Sequence, residues 1–332
     1  MSKGTKLLFV GIAFLAAIGI ALSAEGSNIE IRNLIRSVSK SVSASTEITP
    51  LQSGGEFADG YNKYVQYALQ LINEDRKANG LKPVVLGNNL AAQKHAEHLV
   101  KNDIISHWNT DGLKPYMRYT NERGNGYVSE NIGFTRGVCL PAFCSIDIKE
   151  DIKSHQWSMV NDDAAFEWSH RDTILDPYHN KVNIGIAVYA GDLALVQSFE
   201  NDYIMWKRPT TRTGDRVIMS GLSAFNQGSI SWVAVFYDKT PQKISPAELF
   251  AKHRGKYDQG ELVGVVLPAG KKSDKGVTVT ASRWQVSSSA FDIEFDLDPF
   301  LHKGSGVYTL YLTAVTASNH QVPLTSHSIW ID

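Results

Sequence analysis

This 332-residue chain has no surplus of either charge: 33 lysines and arginines stand against 34 aspartates and glutamates, a formal net charge of −1. Without a basic excess, nothing draws it electrostatically to nucleic acid. Cysteine is scarce as well. Only Cys139 and Cys144 occur, so no second pair is present to complete a cysteine-based zinc site. Two catalytic signatures are also missing. No H-E-x-x-H pair marks a zinc-peptidase helix. Ser106 and Ser169 each precede a histidine, but adjacent side chains point apart and neither serine sits in a nucleophile elbow. The chain is long enough for two domains with ordinary cores.

What the sequence does have begins at its start. Lys3 and Lys6 precede an uncharged run, Leu7 to Ala24, that is apolar almost throughout. Its length lies between a long signal-peptide core and a minimal membrane span. The positive residues stay on the cytoplasmic side, so the remainder is expected outside, secreted or held at the cell surface. Small residues in Ala21-Leu22-Ser23-Ala24 offer a cleavage site. Residues 25–56, with Ser37, Ser39, Ser41, Ser43, Ser45, Thr46 and Thr49, leave little to bury and read as a stalk, which favours a retained anchor. In an exported protein, Cys139 and Cys144, separated by Leu-Pro-Ala-Phe, are expected to close a small disulfide loop.

Periodicity then organises the chain. Tyr64, Val65, Ala68, Leu69 and Ile72 recur at helical spacing, with Gly80 and Pro83 as a stop. Asn88 is placed to cap a second helix burying Ala92, Ala96, Leu99 and Val100. A third helix is predicted from about Ile148 to Val160. The period then changes to two: Val182, Ile184, Ile186 and Val188 alternate, Ala190-Gly191-Asp192 turns, and Leu193 to Phe199 returns as the other arm of a hairpin. After Trp206-Lys207-Arg208-Pro209, strands and turns dominate, with one helical interruption near Pro246–His253. Roughly seven strands are predicted, including Ser229–Tyr237, Phe291–Leu297 and Val307–Val315.

Three short motifs carry the chemistry. They are Ser106-His107-Trp108, Ser129-Glu130-Asn131-Ile132-Gly133, and Ser169-His170-Arg171-Asp172-Thr173-Ile174-Leu175, the last followed by the strand Val182–Val188. With Ala68–Arg76, Leu81-Lys82-Pro83 and Leu90–Ala96, this ordered set resembles the prokaryotic form of the CAP superfamily, or SCP domain. That superfamily comprises cysteine-rich secretory, antigen 5 and pathogenesis-related proteins. The resemblance covers residues 57–205. It implies a CAP-type α/β/α sandwich, so that the whole chain is α+β. The expected order is an N-terminal signal or anchor at 1–24, a stalk at 25–56, the CAP domain at 57–205 and an all-β, immunoglobulin-like sandwich at 206–332.

The resemblance also implies a solvent-open cleft lined by His107 and His170, with Glu130 beside them, and in several members such histidines hold zinc. Two imidazoles with a carboxylate to orient a ring or a water make that chemistry coherent. Many members carry a second glutamate just after a tryptophan; here Trp157 is followed by Ser158, and Glu167, about one helical turn before His170, is the candidate to replace it. Three functions stay open. One is binding of a lipid or protein ligand. The second is zinc-assisted hydrolysis, with Glu130 as the catalytic base. The third is surface display, for which the C-terminal sandwich is suited. The acidic row Asp292, Glu294, Asp296 and Asp298 reads as the wet face of an exposed strand, kept charged against edge pairing. His95 and His98 read as surface residues, and His155 and His179 have no evident partner.

Overall fold

The computed structural model describes residues 56–332 apart from Pro141 and Ala142. The apolar segment and the Ser/Thr-rich stretch up to residue 55 lie outside the described residues. Among the described residues, no helix is long and apolar enough to cross a membrane.

The first helix, α1 (Glu56–Ala78), buries Ala68 and Ile72, one turn apart. Its end is fixed by Arg76, which is fully buried and donates to four carbonyls, those of Lys82, Ile174, Asp176 and His179. One guanidinium thus ties the helix to the segment after His170 and satisfies backbone acceptors that burial would otherwise orphan. The next helix, α2 (Ala91–Asn102), buries Ala92, Ala96, Leu99 and Val100. Asn88 is not its cap: the N-cap position is Leu90, which offers no side-chain acceptor, and Asn89 Oδ1 accepts from the Ala91 amide instead.

A four-stranded sheet in the order β1-β5-β6-β2 forms the middle layer, from β1 (Val85–Leu86), β2 (Tyr127–Thr135), β5 (Lys181–Tyr189) and β6 (Asp192–Asn201). Its two faces are covered by different helices. Val182, Ile184, Ile186, Leu193 and Leu195 pack with α1, with α4 (Ile148–Asn161) and with α5 (Ser169–Ile174). Ala187, Ala194 and Val196 pack with α2 on the other face. Gly185 is required there, because a Cβ would overlap the Ala92 carbonyl of α2. These are the three layers of an α/β/α sandwich. Between β2 and α4, the short strands β3 (Cys139–Leu140) and β4 (Phe143–Cys144) pair so that Cys139 and Cys144 are register partners.

From residue 204 onwards the chain is a two-sheet sandwich. Its strands are β7 (Ile204–Thr213), β8 (Arg216–Ser223), β9 (Gly228–Asp238), β10 (Glu261–Leu267), β11 (Val277–Thr280), β12 (Arg283–Val286), β13 (Ala290–Asp296), β14 (Gly306–Thr316), β15 (Gln321–Pro323) and β16 (His327–Ile331). One sheet has the order β12-β13-β8-β7; the other runs β11-β10-β9-β14-β15, with β16 also on β14. Val217, Met219, Phe291, Ile293 and Phe295 of the first sheet meet Val233, Val235, Val266, Leu310 and Leu312 of the second in one core. The strands β7 to β16 exceed the seven expected, and β10 with β11 is a parallel pair. The acidic row needs correcting. Its strand, β13 (Ala290–Asp296), is not an edge but lies between β12 and β8, and Arg283 spans Asp292 and Glu294 while Arg216 also reaches Glu294.

Candidate functional site

The motif Ser129-Glu130-Asn131 lies on β2, the sheet's edge strand, and its consecutive side chains alternate between faces. Each fixes a different histidine segment. Ser129 Oγ is 3.0 Å from His179 Nε2. Glu130 Oε1 is 3.0 Å from His107 Nδ1. Asn131 Nδ2 donates to the His170 carbonyl at 3.0 Å. One extended strand therefore holds the His107 loop, the helix that bears His170 and the turn that follows it.

Glu130 is the centre of the first cluster. Its side chain is 2 % exposed, and Arg118 Nη2 donates to Oε2 at 2.7 Å. Arg118 sits on α3 (Pro115–Asn121), and its Nη1 donates to the carbonyls of His107 and Leu113 at 2.6 and 2.9 Å. The same guanidinium thus holds both the carboxylate and the loop that bears His107. Burial pushes the Glu130 carboxyl up, but Arg118, then His95 and His107, outweigh it and bring it down to about 2. An ionised carboxylate only accepts, so His107 Nδ1 donates to it and Nε2 is the ring nitrogen turned to other partners.

His95 belongs to this cluster, contrary to its reading as a surface residue. It is 1 % exposed, its ring stacks on His98 at 6.3 Å, and Nε2 lies 2.9 Å from the Ser106 carbonyl, to which it donates. Burial first, and the Arg118 charge second, lower its imidazole to about 3, so it is neutral at ordinary pH.

The second histidine is paired differently from the expectation. His170 Nδ1 is 2.6 Å from Asp163 Oδ1, and Asp163 Oδ2 accepts from the backbone amides of His170 and Arg171 at 2.8 and 3.1 Å. Asp163 therefore caps α5 and orients the imidazole together. Glu167 does not take that place. Its side chain is 83 % exposed and pairs with Lys256, because Glu167 and Trp168 both adopt left-handed backbone angles, φ 54 and φ 62, which reverse the chain before α5. His155 and His179 have partners after all. His155 Nε2 is 2.8 Å from Thr135 Oγ1, and His179 Nδ1 is 2.7 Å from Asn201 Oδ1.

The C-terminal sandwich also reaches this region. The connection between β9 (Gly228–Asp238) and β10 (Glu261–Leu267), residues 239–260, leaves its own sheet and lies on the α/β/α unit. The Ile244 amide donates to the Thr110 carbonyl, and Leu249, on the short helix α6 (Pro246–Lys252), is fully buried among residues of α2 and the central sheet. His253 packs on Trp108 at 4.6 Å and Tyr257 on His107 at 4.9 Å. Nothing in the spacing of the sequence marks these residues as parts of the site.

Chemically, the site offers two imidazoles, each with Nδ1 held by a carboxylate. Both carboxylates are already engaged by cations or amides. Among the described residues, no group of three or more His, Cys, Asp or Glu side chains is placed to hold a metal ion.

Residues 69–199 match the family model described as the cysteine-rich secretory protein family, CAP. No curated protein matches the chain. Among solved structures, an outer surface protein of Borrelia burgdorferi is 16 % identical, with a TM-score of 0.33, over 42 % of this chain and 93 % of that one. An extracellular protein containing an SCP domain from Bacillus anthracis is 18 % identical, with a TM-score of 0.34, over 45 % of each chain. The CAP domain of enterococcal PrgA is 15 % identical, with a TM-score of 0.30, over 55 % of this chain and 83 % of that one.

Proposed function

We propose that this chain, which carries a CAP domain at residues 69–199, is a binding protein working outside the cytoplasmic membrane, with the cleft beside His107 and His170 as its ligand site. The apolar run from Leu7 to Ala24 behind Lys3 and Lys6 supports the location. The observation that carries the choice of binding over hydrolysis is the state of Glu130. A general base needs a pKa near the working pH and an open lone pair. Glu130, held near 2 and bonded by both Arg118 and His107, has neither. If hydrolysis with Glu130 as base were the function, a purified chain would turn over peptide substrates and Glu130→Gln would abolish it. The binding reading expects no turnover from either.

A divalent ion, zinc first, would be held by Nε2 of His107 and of His170, and would supply a Lewis-acidic anchor for an anionic or carbonyl group of a ligand. Two imidazoles backed by carboxylates are the right donor type for such an ion, at most in an open, weakly held site; closed structural zinc sites use four protein ligands. Native mass spectrometry with added zinc is expected to find one ion bound and readily lost to chelator. The His107→Ala/His170→Ala variant is expected to bind none. Equal uptake by both proteins would remove the cleft as the metal site.

We also propose the Cys139–Cys144 disulfide, which register pairing on adjacent strands favours. For so short a loop the chain-entropy gain is about 2 kcal/mol. Cys139→Ser is expected to lower the urea midpoint accordingly, and a thiol count of zero in the unfolded native protein would accompany it. Two reactive thiols would rule the bridge out.

A further inference from the structure

The segment lying against His107 and Trp108 is more than a connection. β9 and β10 are antiparallel neighbours with Tyr237 opposite Glu261, so a two-residue turn would join them. Residues 239–260 run instead across the CAP unit. Connections between neighbouring strands are ordinarily a few residues long, and this one carries a helix of its own. It is anchored at its entry by Ile244 and the buried Leu249, and Gly112, at φ +77, has no side chain to block the close approach of the Gln242 carbonyl.

Beyond that anchor, three consecutive side chains each enter a different receptor. Lys256 Nζ is 2.6 Å from Glu167 Oε2, on the loop leading to His170. Tyr257 lies between His107, Trp108 and Tyr116, with ring centroids at 4.9, 6.5 and 6.4 Å; its hydroxyl meets the backbone of Glu130. Asp258 Oδ1 accepts from Lys114 Nζ at 2.5 Å. A basic, an aromatic and an acidic residue in sequence are matched by an acid, an aromatic box and a base. This is how a cleft reads an extended peptide: one central aromatic anchor and charged rims that fix its direction.

We propose that the cleft is a peptide-docking site and that Lys256-Tyr257-Asp258 is its intramolecular occupant, released when a segment of similar basic-aromatic-acidic character from another protein takes its place. The inference rests on the binding reading above and names its ligand class. The latch at Lys256 is made for exchange. Both of its side chains are more than half exposed, so the pair contributes little, while Leu249 keeps the segment tethered at high effective concentration. Tyr257 packs on the His107 ring in this state, so a ligand that takes its place uncovers that ring.

The test is the rate at which diethylpyrocarbonate modifies His107, mapped by mass spectrometry on the full chain with chelator present, so that metal binding does not enter. Exposed His302 serves as the internal reference. In the wild type, His107 is expected to react well behind His302. Lys256→Ala is expected to speed it about two- to fivefold, Tyr257→Ala on the order of tenfold, and Tyr257→Phe, which keeps the ring, hardly at all. Circular dichroism checks that the variants fold. A synthetic peptide of residues 253–260, added at about 1 mM to match a tethered occupant, is then expected to protect His107 again in Tyr257→Ala. The same peptide with alanine for its tyrosine is not. Equal rates for His107 and His302 in the wild type, unchanged rates in the variants, or unmasking without re-protection by the peptide would each overturn the proposal. A failure of zinc binding would leave it untouched.

Discussion

Replacing Arg118 by methionine is expected to lower the unfolding free energy by about 3–5 kcal/mol, the usual consequence of leaving a buried ion without its partner. Glu130 would stay in place with a 2 % exposed carboxylate and only the imidazoles of His107 and His95 near it. The carbonyls of His107 and Leu113 would lose the same donor. Urea unfolding at pH 7 measures the loss as a shift in midpoint. The sign with pH is also fixed. In the wild type, Glu130 has its pKa lowered from 4.5 to about 2, so its contribution is present above pH 4.5 and is lost as pH falls towards 2. Without Arg118 that contribution is gone already, so the gap between variant and wild type should narrow below pH 4.5. Adding Glu130→Leu should recover part of the loss, because the orphaned charge goes with it. A single variant within 1 kcal/mol of the wild type would mean that Arg118 neither compensates Glu130 nor holds the His107 loop.

The residues that were legible in the sequence are those whose role repeats locally. The alternation of Val182, Ile184 and Ile186 fixed a strand, and α1 and α2 followed from apolar residues at helical spacing, because burial on one face imposes a period. The Ser129-Glu130-Asn131 and Ser169–Leu175 motifs located two histidine loops and their strand. Asp163 was hidden for a physical reason. Counting back one helical turn from His170 arrives at Glu167, but the chain there is not helical; two successive left-handed residues turn it back and bring Asp163 to the imidazole. Such angles in non-glycine residues carry no compositional mark.

Arg118, His95 and Tyr257 were hidden by distance. Arg118 looks like any surface arginine on a short helix until β2 brings Glu130 against it. His95 lies among alanines on α2, and a polar letter in an amphipathic helix is read as wet. It is dry because the Ser106 carbonyl satisfies its donor. Tyr257 reaches His107 from the connection between β9 and β10, and the packing of side chains about 150 residues apart leaves no periodic trace.

Acid should destabilise this protein already below pH 6.5, through its buried histidines. His95 has a pKa lowered from 6.5 to about 3, and His327 one lowered to about 4, both by burial. For each, the unfolded chain binds a proton that the folded chain refuses. Stability is therefore full above pH 6.5 and declines as pH falls towards the folded values. Each such histidine contributes a slope of about 1.4 kcal/mol per pH unit, so between pH 6.5 and 4.5 the two together should remove about 4–5 kcal/mol, comparable with the whole stability of a marginal domain. His98, His155 and His179, also lowered by burial, act in the same direction. Asp75, Asp151 and Glu200 oppose them, since burial raises their carboxyls and the folded chain then takes up protons more readily than the unfolded one. The discriminating measurement is the slope of unfolding free energy against pH, in urea, for the wild type and His95→Gln. Glutamine keeps a donor for Ser106 but cannot titrate. The variant should begin less stable at pH 7.5 and show a slope lower by about 1.4 kcal/mol per pH unit between 6 and 4.5. Parallel slopes would show that His95 is protonated in the folded state, and with that the neutral, buried wall behind Glu130 would have to be given up.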